Sequence, residues 1–257
     1  MGDVLVGYEA AGASARLTLD SPHNRNALSA PLVQQLHDGL RRAAGDIAVR
    51  TVVLGHTGGT FCAGADLSQA TAGDARSAAA ARAHELAALL RAIVECPKPV
   101  IAAVDGHVRA GGMGLVGACD IAIAGPRSTF ALTEARIGVA PAVISLTLLP
   151  KLAPRAAARY YLTGETFTAQ RAAEIGLITE ATDDLAAAVD GVATDLAKAS
   201  PQGLAASKAL TTAAVLAGFD RDAARLAEES AGLFVSEEAR EGMLAFLEKR
   251  PPRWISG

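Results

Sequence analysis

The chain reads as an α/β protein with a helical C-terminal region. Three observations predict this. Across the first two thirds, short apolar runs alternate with amphipathic or alanine-rich stretches. After Ala181 no strand pattern recurs, and only helical periods follow. At the centre, the apolar run Val100–Val104 feeds a glycine-rich turn, Gly106-His107-Val108-Arg109-Ala110-Gly111-Gly112, that opens onto a small-residue helical segment, Met113–Cys119. Such a turn leaves backbone N–H groups unpaired at the start of a helix, where the helix dipole adds partial positive charge. It can hold a phosphate, or an oxygen that becomes negative during a reaction. The glycines fit neither GxxxxGK[ST] nor GxGxxG.

In chain order, Val4–Tyr8 and Ala15–Leu19 read as strands around Ala11-Gly12-Ala13, and residues 20–26 as a polar loop. Ser29 is placed to cap a helix with Pro31 in its first turn, an apolar face at Leu32, Val33, Leu36, Leu40 and Ala43, and an end at Gly45. Thr51–Leu54 is a buried strand, followed by a second glycine-bearing loop from Gly55 to Asp66. A long helix spans Asp74–Cys96 and stops before Pro97. Beyond the central turn, Asp120–Ala124 and Ser128–Leu132 are extended, while Glu134–Ile144 has no clean period. Pro154–Leu162 is helical, and Thr168 caps a helix ending at Gly176. Ile178–Ala181 is the last strand. Four helices follow, at Asp184–Ala199, Pro201–Leu216, Arg221–Phe234 and Ser236–Lys249. This divides the chain into an α/β core, 1–199, and a helical region, 200–257.

Composition narrows the function. The 257 residues are 51% hydrophobic and 20% charged, with net charge −3, so no basic face for nucleic acid is implied. Cys62, Cys96 and Cys119 have no paired or metal-like spacing, and the start lacks a signal-peptide pattern. No apolar run reaches membrane-spanning length without a charge or proline. The expectation is a cytoplasmic protein with reduced thiols. The five histidines form no nucleophile motif with Ser or Cys.

An ordered set of segments carries a stronger signal: Asn26-Ala27-Leu28, Phe61-Cys62-Ala63-Gly64-Ala65-Asp66, Lys98–Gly106, Ala110-Gly111-Gly112, Cys119-Asp120-Ile121, Glu134-Ala135-Arg136-Ile137-Gly138, Leu162-Thr163-Gly164 and Glu241–Arg250. In this order they resemble the enoyl-CoA hydratase/isomerase (crotonase) superfamily over nearly the whole chain. The resemblance implies a spiral of β-β-α units with a helical C-terminal region that trimerises, often into a hexamer. It implies an acyl-CoA thioester as substrate, and neither a metal nor a redox cofactor, since coenzyme A belongs to the substrate. By motif position, the N–H groups of Ala65 and Gly111 would hold the thioester oxyanion and Glu134 would be the acid/base. Ala27, Ala63, Asp66, Leu67, Gly112, Gly114 and Lys249 would line the substrate site, with Lys249 reaching CoA phosphates of a neighbouring subunit.

Many hydratases of the family carry two glutamates. Here Gly114 stands at the first position and Glu134 at the second. The segments Gly111–Val116 and Ile137–Ser145 are similar to those of 3-methylglutaconyl-CoA-type hydratases with one glutamate. The expected activity is hydration of an enoyl-CoA. The alternatives are a Δ3,Δ2-enoyl-CoA isomerase, which needs one base, and an acyl-CoA binder without turnover, which would have no need of Glu134. Arg109 either meets an acyl-chain carboxylate or faces solvent or a neighbouring subunit. A glutamate introduced at Gly114 is expected to help only if the backbone there tolerates a side chain.

Overall fold

The computed structural model describes residues 3–66 and 75–255. Its strands are β1 (Val6–Ala11), β2 (Ser14–Leu19), β3 (Thr51–His56), β4 (Thr60–Cys62), β5 (Val100–Val104), β6 (His107–Arg109), β7 (Ile121–Ala124), β8 (Thr129–Ala131), β9 (Phe167–Thr168) and β10 (Glu180–Ala181). Its helices are α1 (Ala30–Gly45), α2 (Ala75–Glu95), α3 (Gly111–Ala118), α4 (Ser145–Leu148), α5 (Pro154–Thr163), α6 (Ala169–Glu174), α7 (Leu185–Ala197), α8 (Pro201–Phe234) and α9 (Glu237–Glu248).

The strands form two sheets, a larger one ordered β1-β2-β3-β5-β7-β10 and a smaller one ordered β4-β6-β8-β9. Apart from the antiparallel β1–β2 hairpin and the β8–β9 pair, neighbours run parallel. Each turn of the chain gives one strand to the large sheet and the next to the small one, then a helix: β3-β4-α2, then β5-β6-α3. This is the β-β-α spiral that the family resemblance implies.

The central strands β3 and β5 of the large sheet are buried on both faces, which explains their unbroken apolar runs. Val52, Leu54, Val100, Ala102 and Val104 face the main core with Leu36, Leu90 and Ile93. Val53, Ile101, Ala103 and Ile123 face the other way, onto Val189 of α7. Helix α1 has the expected buried face, and the Ser29 hydroxyl accepts from the Leu32 N–H at 3.4 Å.

The structure corrects the element reading in three places. The two helices expected at Pro201–Leu216 and Arg221–Phe234 are one 34-residue helix, α8. Gly218 has open space around it, and a lone glycine costs only about 1 kcal/mol in a helix. Phe219, next to it, is fully buried and helps hold α8 through this point. Strands β4 and β6 lie inside stretches read as continuous glycine loops. Glu134–Ile137, which lacked a period, is one 3-10 turn.

Helix α8 also fixes the approach to the central turn. The buried Lys208 ammonium donates to Ile93 O at 2.9 Å and Lys98 O at 3.2 Å, and pairs with Asp120 Oδ2 at 2.7 Å. Asp120 Oδ2 accepts from the Val100 N–H at 2.7 Å, where β5 starts. Asp120 thus positions backbone, and the end of α2, the start of β5 and the start of β7 meet on one lysine.

Candidate active site

The site is assembled by the small sheet. Strands β4, β6 and β8 are parallel neighbours, with Cys62 opposite Val108 and Arg109 opposite Ala131. Their chains therefore emerge at the same end, roughly 4.8 Å apart. Ala65 lies three residues beyond β4, Gly111 two beyond β6 and Glu134 three beyond β8. In open α/β sheets, the carboxyl ends of parallel strands are where ligands bind.

Asn26 holds the first loop. Fully buried, its carbonyl accepts from the Ser21 N–H at 2.7 Å, and its amide donates to Thr57 O at 3.1 Å and Thr60 O at 2.8 Å. The Ala63 N–H donates to Arg25 O at 3.1 Å and the Leu28 N–H to Gly64 O at 2.8 Å. The second loop docks on this frame. A side chain on Gly112 would meet Cys62 O at 2.7 Å, and one on Gly64 would meet Ala110 Cβ at 2.7 Å and Gly111 N at 3.3 Å. Glycine is required for this approach, and Gly64 also sits at φ +94°. Ala110 adopts φ +45° without being glycine. This conformation costs about 1–3 kcal/mol and turns the chain into α3. Gly111 is the first residue of α3 and Ala65 is exposed at the loop tip. Among the described residues neither N–H has a backbone acceptor.

Glu134 is 8% exposed, and its Oε2 has no hydrogen-bond partner among the described residues. Burial pushes its pKa up to about 7. Its neighbour Arg136 forms no ion pair with it among the described residues, and Nε of Arg136 donates instead to Thr163 O at 2.8 Å. The turn carrying Glu134 is clamped by α9. A side chain on Gly138, at φ +77°, would strike Glu238 C at 2.6 Å, and one on Gly242 would strike Ile137 O at 2.5 Å. Helix α9 is anchored in turn by the buried Glu241, which accepts from both Arg250 amines at 2.7 and 3.1 Å and from the Arg253 N–H at 2.9 Å. Arg250 holds that carboxyl down at about 2.

Ala63 belongs to the first loop, and the buried Ala27 to the neighbouring segment whose Leu28 pairs with Ala65 of that loop. Asp66 follows Ala65, and Leu67 lies outside the described residues. Gly114 is turned into the core. A side chain there would meet Ile144 Cγ2 at 2.5 Å, Ile144 Cβ at 3.0 Å and Leu90 Cδ1 at 3.2 Å. The first-acid position of two-glutamate relatives is thus filled by Ile144, and no glutamate fits in its place. Lys249 is exposed at the end of α9, roughly 10 Å along the helix from Gly242. Arg109 is held on the small sheet by Thr129, donating to Thr129 O at 2.7 Å and Thr129 Oγ1 at 2.9 Å. Cys62 and Cys119 are fully buried, with thiols pushed up to about 12, so neither is a nucleophile.

Two N–H groups at touching loops and one buried carboxyl with an unpartnered oxygen can stabilise an oxyanion and move a proton. Residues 9–257 match the Enoyl-CoA hydratase/isomerase family, and the chain belongs to it. It is 72% identical to an enoyl-CoA hydratase from Mycobacterium avium of known crystal structure, with TM-score 0.94, covering 98% of this chain and all of that one. It is 35% identical to the protein named "Probable enoyl-CoA hydratase" of Rhodobacter capsulatus, over 96% of each chain. It is 32% identical to the 2,3-dehydroadipyl-CoA hydratase of Escherichia coli, over 92% of each. Among the described residues no cluster of His, Cys, Asp and Glu could hold a metal, and no helix is long and apolar enough to cross a membrane.

Proposed function

We infer that the chain is an enoyl-CoA hydratase, adding water across the Cα=Cβ bond of an acyl-CoA thioester. The observation that carries this reading is the meeting of Ala65, Gly111 and Glu134 at three adjacent strand ends. The thioester oxygen accepts from the N–H groups of Ala65 and Gly111. The ionised Glu134 takes a proton from water as the water oxygen bonds to Cβ. Negative charge moves to the thioester oxygen, where the two donors hold it, and Glu134 returns the proton to Cα. One such donor is typically worth about a hundredfold or more in rate. No cofactor is needed beyond the coenzyme A of the substrate.

Because Gly114 leaves no room for a second acid, Δ3,Δ2-enoyl-CoA isomerisation is the second reading: one base can take a proton from one carbon and return it to another. Paired assays decide between them. Crotonyl-CoA should lose its enoyl absorbance in water faster than a 3-enoyl-CoA is isomerised. Faster isomerisation would replace the first reading with the second.

We propose a cytoplasmic homotrimer or hexamer as the working form. The support is apolar surface on the helical region that the monomer leaves exposed: Leu210, Val235, Leu244, Phe246 and Leu247. Lys249, beside that surface, is the proposed contact to CoA phosphates across subunits.

A further inference from the structure

Hydration brings a water to Cβ, and two-glutamate relatives have two carboxylates to hold it. Here the segment that closes the first-acid position also begins a different polar arrangement. Ile144 occupies the space beside Gly114, and the next residue, Ser145, has its hydroxyl 2.7 Å from Pro141 O and 3.1 Å from the Tyr161 hydroxyl. A serine has one proton to give. With that proton on Pro141 O, the Tyr161 O–H donates to Ser145 Oγ, and the phenolic oxygen keeps its lone pairs as acceptors. The ring is not sealed in packed core, since Tyr161 borders an apolar groove of about 530 Å³ with Leu149, Leu152 and Leu162. Helix α5, which carries Tyr161, packs on the turn that carries Glu134: two residues past Tyr161, Thr163 O accepts from Arg136 Nε at 2.8 Å. Burial first, and then the Glu134 charge, push the phenol up to about 12. Glu134 Oε2, facing no protein donor, is the one buried carboxyl oxygen among the described residues that lacks a partner.

We propose that the Ser145–Tyr161 hydroxyl pair holds the water that Glu134 activates, in place of a second carboxylate. The inference rests on the hydratase reading. One hydrogen of the water points to Glu134 and is the proton transferred. The other is donated to the Tyr161 oxygen. The water lone pair left free is the one that bonds to Cβ. Glu134 then delivers its proton to Cα, and Tyr161 keeps its own throughout. Ser145 acts only through Tyr161, fixing the phenol proton away from the water, and is a positioning residue.

Tyr161→Phe, Ser145→Ala and the double variant test this in the full-length protein with crotonyl-CoA. Each single variant should lower kcat for hydration about tenfold, the worth of one hydrogen bond in a buried site, with KM within about twofold. Thermal midpoints should stay close to wild type, because Tyr161→Phe keeps the ring. The double variant should be no slower than the slower single, since the pair acts as one unit. Single variants within twofold of wild-type kcat would overturn the proposal. So would losses in which KM and Tm change in step with kcat, which mark a packing role, or losses that multiply in the double variant. A wild type that fails to hydrate crotonyl-CoA would remove the hydratase reading and this inference together. A wild type that hydrates normally, with variants that match it, removes this inference alone.

Discussion

Glu134→Gln should lower kcat by about 10²–10⁴ while thioester binding stays within a few-fold, because it deletes the proton carrier and keeps the shape. The same change should make the protein more stable in mild alkali. Glu134 has a folded-state pKa near 7 against an ordinary 4.5. Between those values the native state binds more protons than the unfolded chain, so stability falls as pH rises from about 4.5 to about 7. Above 7 the penalty for the buried charge is complete, on the order of 3 kcal/mol. Glutamine carries no such charge. At pH 8 the variant should melt several degrees above wild type, and the gap should close toward pH 5. Full activity in Glu134→Gln would remove the acid assignment. A variant that is inactive and also less stable at pH 8 would mean that Glu134 is held by contacts the structure does not show.

Gly64→Ala should be comparably damaging for a different reason. The new side chain would sit 2.7 Å from Ala110 Cβ and 3.3 Å from Gly111 N, on a backbone at φ +94°. The loops must part, and the Ala65 and Gly111 N–H groups cease to converge. A loss of at least about a hundredfold in kcat/KM is expected. Adding Ala110→Gly removes the closest clash and relieves the positive φ at Ala110, so the double variant should recover part of the loss. Gly64→Ala with near wild-type kcat/KM and an unchanged melting temperature would show that the contact between the loops does not set the oxyanion donors.

The large sheet and helix α1 were legible because their signals are local: unbroken apolar runs, and a cap with a 3.6-residue apolar face. The small sheet was not legible. Strands of three residues such as β4 and β6 are too short to show a period, yet their pairing, with β8 beside β6, sets Ala65, Gly111 and Glu134 just beyond three neighbouring strand ends. The candidate residues came from the resemblance of ordered motifs. Nothing local in Glu134–Gly138 says that its carboxyl is buried. Ala110 hid its positive φ because alanine gives no warning of one. Gly218 suggested a helix break that buried Phe219 prevents. Lys208 looks like a surface lysine on α8, and only the tertiary fold gives it two carbonyls and Asp120. Ser145 and Tyr161 are 16 residues apart and meet only where α4 packs near α5.

The central claim is that one buried carboxyl of pKa near 7 carries the proton for hydration. Its most direct test is the pH dependence of kcat/KM for crotonyl-CoA hydration by the wild-type protein, which reports the free enzyme. The account predicts a rise of about tenfold per pH unit below 7 and a plateau above it. A rate flat from pH 5 to pH 8, or a limb at the ordinary carboxylate range near 4.5, would contradict it.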